Sequence, residues 1–586
     1  MAEGTVDGRD GTGRAPSLWT ALVRIFQVTL DPKKLLLAAA GILCMGLGWW
    51  VLSKIAYSTW DKPIKDSPAY SSAQLGVGTE EERAAIFQRD FEAWKLLHRV
   101  AGVGTDPDAG PGGDLRTLPW FEDRGPNPFL LVTAQIGRPW SPGQFIEWFF
   151  TTQVPILVEP LTKLLKPVVY LFNPAATPGI RFFLLGVLSW ELLVWAFFGG
   201  MITRLAAVEL AGKDPLTVRE AARFVLSRYL VYLSAPLAPV VVVGLLVLLQ
   251  ILFGLVLLIP LFGDIVVAGL GFPIVLVLAI AQALLLIGLI GYPLMFSTVS
   301  VEGNDTLDAV SRTYNYVYQS IWSYLGYGIA AVIFGAVLVF FVQFLGSTMA
   351  YLSKWGINQT PFAKTSSWDR RPEFLFVYAP TTFGWRDLLL QGTPAAEPDG
   401  SLDYDRPTSN YNRWVYGDPA TGAGGFTWYN KVGAFMVGCW LGLLLLVMLG
   451  FGYAFFWVAG TEIYYLMRRK VDDTDPDEVY LEDETAEEPF SPPPTTPATV
   501  TSSQVTMVEP PTLRSAPPPA PSAPPTSLTP PPTNPATPPA SGSLVERPAA
   551  LPEPPPEPAR PTESTALAPE KTEKPEGGKP TNGPAT

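Results

Sequence analysis

An acid inside an apolar run is the feature of this sequence that most invites chemistry. Glu191 stands nine residues into the stretch that begins at Phe182, within SWELLVWAFF. An ionised carboxylate at the bilayer centre costs about 2.5–3.5 kcal/mol, so such acids mark ion or proton paths or buried interhelical bonds. Gln250, Gln282 and Gln343 lie on other apolar runs and are side chains of the type that pairs with an acid. These four residues form a candidate intramembrane polar site. The plainer account, a hydrogen bond that only holds helices together, is favoured, because a proton relay usually shows more than one such acid.

The remaining reactive residues offer less. His98 is the single histidine, and with Asp90 and Glu92 it falls on one amphipathic helix, EEERAAIFQRDFEAWKLLHRV (80–100). A solvated face explains that trio better than a catalytic cluster does. Cys44 and Cys439, the two cysteines, both lie in apolar runs. A disulfide framework and a Cys/His zinc site are thereby excluded, and one histidine removes most Ser-His and metal-dependent hydrolysis. The nucleotide, hydrolase-elbow and zinc-protease motifs are missing. No enzyme activity, cofactor or metal is expected. Glu462 is expected to be solvated or in a weak surface pair near Arg468 and Arg469, and Gly438-x-x-x-Gly442 fits close helix packing.

The elements that carry these residues follow from composition. Of 586 residues, 48% are hydrophobic and only 16% charged, where soluble domains carry about a quarter charged residues. The apolar residues sit in blocks long enough to span a bilayer. A soluble globular enzyme is excluded. The sequence predicts an all-α membrane protein with about six transmembrane helices, near 35–55, 182–203, 235–259, 265–296, 321–345 and 432–453. The first reads as a retained signal anchor. The fourth is over-long and should tilt or break near Gly269, Gly271 and Pro273.

Between the spans lie interfacial and external segments. Residues 1–34 form an N-terminal segment with a short interfacial helix over Ser17–Leu30. Residues 56–181 form an external region. Within it, 143–173 reads as a helix lying flat in the interface, with Leu157, Leu161, Leu164, Val168 and Phe172 on one face and Glu159, Thr162, Lys163 and Lys166 on the other. Pro155, Pro160 and Pro167 argue against a crossing there. Residues 182–346 form the membrane core. Residues 347–431 form a second external loop, whose Trp355, Trp368, Trp385, Trp414 and Trp428 suggest a lid anchored at the interface. Residues 432–470 hold the sixth helix.

Charge sets the orientation. Lys33, Lys34, Arg204, Lys213, Arg219, Arg223, Arg228, Arg312, Arg468, Arg469 and Lys470 flank the spans on one side, which the positive-inside rule makes cytoplasmic. Both termini are then cytoplasmic, and the expected location is a bacterial inner membrane. Residues 471–586 hold 18 acidic and six basic residues and 31 of the 60 prolines, so the chain's net charge of −12 belongs to this tail. Its composition predicts disorder with polyproline II bias and a role as bait for cytoplasmic protein partners. No basic block suggests nucleic acid. The lipid bilayer is the one sure partner, and the oligomeric state stays open.

The two cytoplasmic connections resemble each other. PLTVREAARFVLSRYLVYLSAPL (215–237) opens at Asp214-Pro215 or with the capping box Thr217-x-x-Glu220; NDTLDAVSRTYNYVYQSIWSYLGYG (304–328) opens after Gly303. Each carries an acid-Ala pair, Glu220-Ala221 or Asp308-Ala309, and leads to a Tyr-Leu, Tyr232-Leu233 or Tyr324-Leu325; from acid to tyrosine the second is four residues longer. Both read as interfacial helices with Arg219, Arg223 and the i,i+4 pair Asp308/Arg312 facing water or headgroups.

WAFFGGMITRLAAVELA (195–211), REAARF (219–224), APLAP (235–239) and EGNDTLDAVSRTYNYVY (302–318) resemble a pattern shared by uncharacterised polytopic bacterial inner-membrane proteins. The resemblance covers spans two to five and implies a membrane fold with no established activity. A looser likeness is to the membrane domain beside some glycerophosphodiester phosphodiesterases; no catalytic domain accompanies it here. The expected function is a non-enzymatic scaffold or assembly protein with a partner-recruiting tail; the alternative is a small-solute or lipid transporter that uses Glu191.

Overall fold

The computed structural model describes residues 18–65, 67–71, 79–135, 142–256, 258–361, 372–390, 395–396, 402–403 and 426–481. The tail beyond residue 481, with its Pro555-x-x-Pro558-x-Arg560 motif, lies outside them, as do Trp368 and Trp414. The fold is all-α, with six helices among the described residues long and apolar enough to cross a bilayer. Two minimal antiparallel ladders, Thr105–Asp106 with Gly110–Pro111 and Ala395–Ala396 with Leu402–Asp403, are the strands among the described residues.

The helices, in order, are α1 (Leu18–Thr29), α2 (Pro32–Ser58), α3 (Glu80–Ala101), α4 (Pro128–Gln135), α5 (Pro142–Trp148), α6 (Val154–Leu157), α7 (Glu159–Leu171), α8 (Pro178–Leu210), α9 (Val218–Ser227), α10 (Tyr229–Val256), α11 (Phe272–Gly288), α12 (Tyr292–Glu302), α13 (Thr306–Gln319), α14 (Ile321–Asn358), α15 (Trp385–Leu390) and α16 (Trp428–Asp472). The starts are chemically marked. Asp31 caps α2 with Pro32 at its first turn, and Thr177 caps α8 with Pro178 in the same place. The Thr217/Glu220 capping box is complete at α9. Asp305 caps α13 by accepting from Asp308 N. The two connection helices are 10 and 14 residues long, and Ala221 and Ala309 are both fully buried beneath them.

α8 is the hub. α2, α7, α9, α10, α12 and α16 all pack on it, and α16 also lies against α1, α2, α12 and α14. Small residues permit this: a Cβ on Gly450 would sit 2.7 Å from the Leu35 carbonyl oxygen, so α16 and α2 touch backbone to backbone. Aromatic rings fill the centre. Trp195 stacks on Tyr453 at 5.0 Å, and Phe296 meets Trp457 at 4.7 Å.

The fourth apolar run breaks where Gly271 and Pro273 stand, between a π-helical turn at Gly263–Leu270 and α11. It breaks again at Leu289–Gly291, ahead of Pro293 in the first turn of α12. α10 and α11 form a hairpin that exposes apolar side chains along most of its length.

Two ends can be distinguished. At one, the lobes from 102–127 and 372–390 meet: Thr381 N donates to the Trp120 carbonyl at 2.9 Å, and Asn127 Nδ2 donates to the Phe383 carbonyl at 2.9 Å. At the other, the cationic collar gathers: Lys34 pairs with Glu209, Lys33 Nζ donates to Leu216 O at 3.2 Å, and Arg228 Nε donates to Gly303 O at 3.3 Å.

The segment 143–173 is not the single helix expected from its periodicity. It is split into α5, a π turn, α6 and α7, and it is inserted into the bundle. Gln153 Nε2 donates to the Ala336 carbonyl at 3.2 Å in the body of α14, and Leu157 is 1% exposed. Glu159 and Lys163, assigned to the solvent face, are buried, whereas Leu161, Leu165, Val169 and Phe172 are exposed. Glu159 and Lys163 turn inward because they meet compensating charges on Arg124 and Glu122, while Thr162 and Lys166 stay exposed.

Candidate functional site

The polar centre nearest the lobes is a charge tetrad. Glu159 Oε2 accepts from Arg124 Nε at 2.9 Å, and its Oε1 accepts from Arg124 Nη2 at 2.9 Å and from the Tyr453 hydroxyl at 3.3 Å. Lys163 Nζ lies 2.9 Å from Glu159 Oε1 and 2.8 Å from Glu122 Oε1; Arg124 Nη2 donates to Glu122 Oε2 at 2.6 Å. Arg124 Nη1 also donates to the Pro119 carbonyl and to Thr382 Oγ1, tying the two lobes to α7 and α16. Two cations against two carboxylates, each with several donors, is the arrangement that makes buried charge tolerable. Burial alone would raise the Glu159 carboxyl, but Arg124 and Lys163 outweigh it and hold it well below the usual carboxylate range. Burial would lower Lys163, yet Glu122 and Glu159 hold it above its ordinary value. The tetrad has the chemistry of a lock, with no nucleophile beside a base.

Glu191 is 1% exposed on α8, and neither carboxylate oxygen has a hydrogen-bond partner among the described residues. The pairing expected with glutamines is corrected. Gln282 Nε2 donates to Gln250 Oε1 at 3.2 Å, within the α10–α11 hairpin. Gln343 is buried on α14 with its Oε1 unpartnered, so none of the three bonds Glu191. The four residues are not one site: the hairpin satisfies its own amides away from the hub.

A second centre lies at the collar end. Ser300 Oγ sits 2.7 Å from both Thr203 Oγ1 and Tyr232 Oη, and Arg204 Nη1 donates to the Ser300 carbonyl at 2.6 Å. All four residues are buried. Arg204 Nη2 donates to the Tyr480 carbonyl at 2.8 Å, and the Tyr480 amide donates to the Val301 carbonyl at 2.8 Å, so residues just past α16 are bound to the bundle. Sequence reasoning placed Arg204 in a topology argument only. Its neighbour Thr203 and the hydroxyls of Tyr232 and Ser300 were its one available signal.

Arg219 and Arg223 are exposed on α9, and Glu220 caps that helix through Thr217. Asp308 and Arg312 approach to 3.7 Å, but Arg312 turns inward to Glu302 at 2.9 Å. Glu302 also accepts from the Tyr464 hydroxyl at 2.6 Å and from Asn304 Nδ2 at 2.6 Å.

Four further expectations are corrected. His98 is 2% exposed; its Nε2–H donates to the Gly110 carbonyl at 3.2 Å and its Nδ1 accepts from the Tyr57 hydroxyl at 3.0 Å, because the ladder after α3 folds over it. Asp90 and Glu92 pair elsewhere, with Arg89 and Lys95. Glu462 is 2% exposed, since α1 lies across it with Arg24 3.9 Å away. Trp385 is fully buried and donates to Ser347 Oγ at 2.9 Å, so it plugs the bundle instead of anchoring a lid. Gly438 lies against the Tyr378 carbonyl and Gly442 faces open space, so this pair seats a lobe residue instead of packing two helices.

No family model, no curated protein and no solved structure matches the chain.

Proposed function

We propose that the protein is a non-enzymatic, multi-pass scaffold of a bacterial inner membrane, with its collar end and both termini in the cytoplasm. The supporting observation is the fixed root of the tail. Tyr480 is held by the Val301 carbonyl and by Arg204, and Arg468 Nη1 donates to the Glu478 carbonyl at 2.8 Å. A long acidic, proline-rich segment thereby leaves from one anchored point, which suits presentation to protein partners. The tetrad and the joined lobes supply the rigidity such a platform needs. The pattern shared with uncharacterised polytopic bacterial membrane proteins fits the same reading. Deleting residues 482–586 while keeping the docked root tests it: in-cell cross-linking should lose most of the protein's cytoplasmic partners. An unchanged partner set contradicts the scaffold.

Glu191 favours a second reading, a transporter for a small solute or lipid. A buried acid without a donor is costly for a purely structural role. Flux into liposomes by the purified protein, compared with Glu191→Gln, tests this. Absence of any flux removes it.

A further inference from the structure

Past Asp472 the chain reverses at Asp473, whose φ is +52°, and returns along the collar end as a strap. The strap is held chiefly by arginines from three separate elements. Arg204 binds the Tyr480 carbonyl at 2.8 Å. Arg468 binds the Glu478 carbonyl at 2.8 Å and its carboxylate at 3.4 Å. The Arg228 guanidinium lies 5.0 Å from the centre of the Tyr480 ring. That ring is pressed on Gly303, which at φ +68° ends α12; a Cβ there would stand 3.0 Å from it.

Beside the strap is a cavity of about 490 Å³ whose charged lining is Lys213, Arg312, Arg468, Glu302, Asp477 and Glu478. Three cations face three acids, and two of the acids, Asp477 and Glu478, belong to the strap. Glu302 is engaged by Arg312 at 2.9 Å and Arg468 at 3.3 Å as well as by Tyr464 and Asn304. With the strap lifted, the lining keeps three cations and Glu302, with Asp308 and Asp472 3.7 and 4.0 Å from Arg312, and Arg204 loses one of its acceptors. Guanidinium forks and an ammonium that converge on oxygen atoms are the donor set that holds a phosphate. The volume lies in the range of small-ligand sites, roughly 300–1,000 Å³.

We propose that this groove is a binding site for a phosphate-bearing group and that residues 477–480 are its built-in occupant, displaced when the ligand enters. The strap's carbonyl and carboxylate oxygens take the positions of the ligand's oxygens, and its two acids balance the groove while it is closed. This inference concerns the root on which the proposed function rests, and not which partners the tail recruits. The phosphate could belong to an anionic lipid headgroup or to a soluble compound; both share the chemistry.

The test is amide hydrogen exchange of the full chain in nanodiscs, read at Val479–Leu481. Inorganic pyrophosphate added to phosphatidylcholine nanodiscs represents the soluble source, and phosphatidic acid nanodiscs the lipid source. Acceleration of exchange at Tyr480 by about tenfold in either arm supports the site and identifies the source. Asp477→Asn with Glu478→Gln should lower the concentration needed, because a built-in competitor is weakened. Sodium chloride at matched ionic strength must not reproduce the effect. Equal protection in every arm, or acceleration by chloride alone, overturns the proposal.

Discussion

The Glu159 carboxylate accepts two hydrogen bonds, each 2.9 Å, from the guanidinium of Arg124, 35 residues earlier in the chain. This pair joins the lobe of residues 102–127 to a segment inserted into the bundle. Removing one partner leaves the other buried with only part of its compensation, Lys163 and Tyr453 for Glu159 or Glu122 for Arg124, so the cost approaches the roughly 3–5 kcal/mol of a broken buried pair. Arg124→Ala and Glu159→Ala should each lower thermal stability in detergent substantially. The double variant should lose much less than the sum of the two, and additive losses would show that the pair is not coupled.

Acid should find the same group. Glu159 is depressed in the folded protein, so its contribution is fully present above the ordinary carboxylate value of about 4.3 and is lost as pH falls through the depressed native value. Thermal stability at pH 7 and pH 5 should therefore be equal as far as this group is concerned, and should drop only below that ordinary value. In Glu159→Gln that part of the acid-induced loss should be missing. An identical acid profile in the two proteins would contradict the assignment.

Glu191 should behave in the opposite sense. Its oxygens have no partner among the described residues, so Glu191→Leu removes a desolvation cost of about 1–3 kcal/mol without breaking a bond. The expected result is an unchanged or raised melting temperature in detergent. A marked fall would mean that the carboxyl makes a structural bond after all.

His98 ties α3 to α2 through Tyr57 and to the loop through Gly110. His98→Ala should cost about 2–4 kcal/mol, combining a cavity with two unpaired polar groups. Faster hydrogen exchange should be confined to residues 99–115. Exchange spread evenly over the whole bundle would contradict a local role.

Periodicity and hydropathy revealed much of the all-α fold, because a span must satisfy its backbone internally and be apolar to exist in lipid. The break at Gly271 and the capping box at Thr217 were legible for equally local reasons. The tetrad was not. Arg124 sits in a Gly/Pro/Asp-rich loop, and nothing in its neighbours points to a partner 35 residues away. The periodicity over 157–172 did not give the buried face: Leu157, Glu159 and Lys163 are buried, whereas Leu161, Thr162, Lys166 and Phe172 are not. Glu191 was visible as an anomaly, whereas its missing partner was not, since Gln250 found Gln282 across a turn instead. The docking of Tyr480 was hidden because a strap held by backbone carbonyls has no sequence signature.

The arrangement of ends is the claim on which the rest stands, and thiol accessibility measures it most directly. In a background with Cys44→Ala and Cys439→Ala, single cysteines at Ser58, Ala175, Lys213 and Thr474 are labelled with a membrane-impermeant maleimide in vesicles of known orientation. The account predicts that Ser58 and Ala175 react from one side and Lys213 and Thr474 from the other. If Ser58 and Ala175 react from opposite sides, the inserted segment 142–171 crosses the bilayer, and the joined lobes and the anchored tail root cannot both stand.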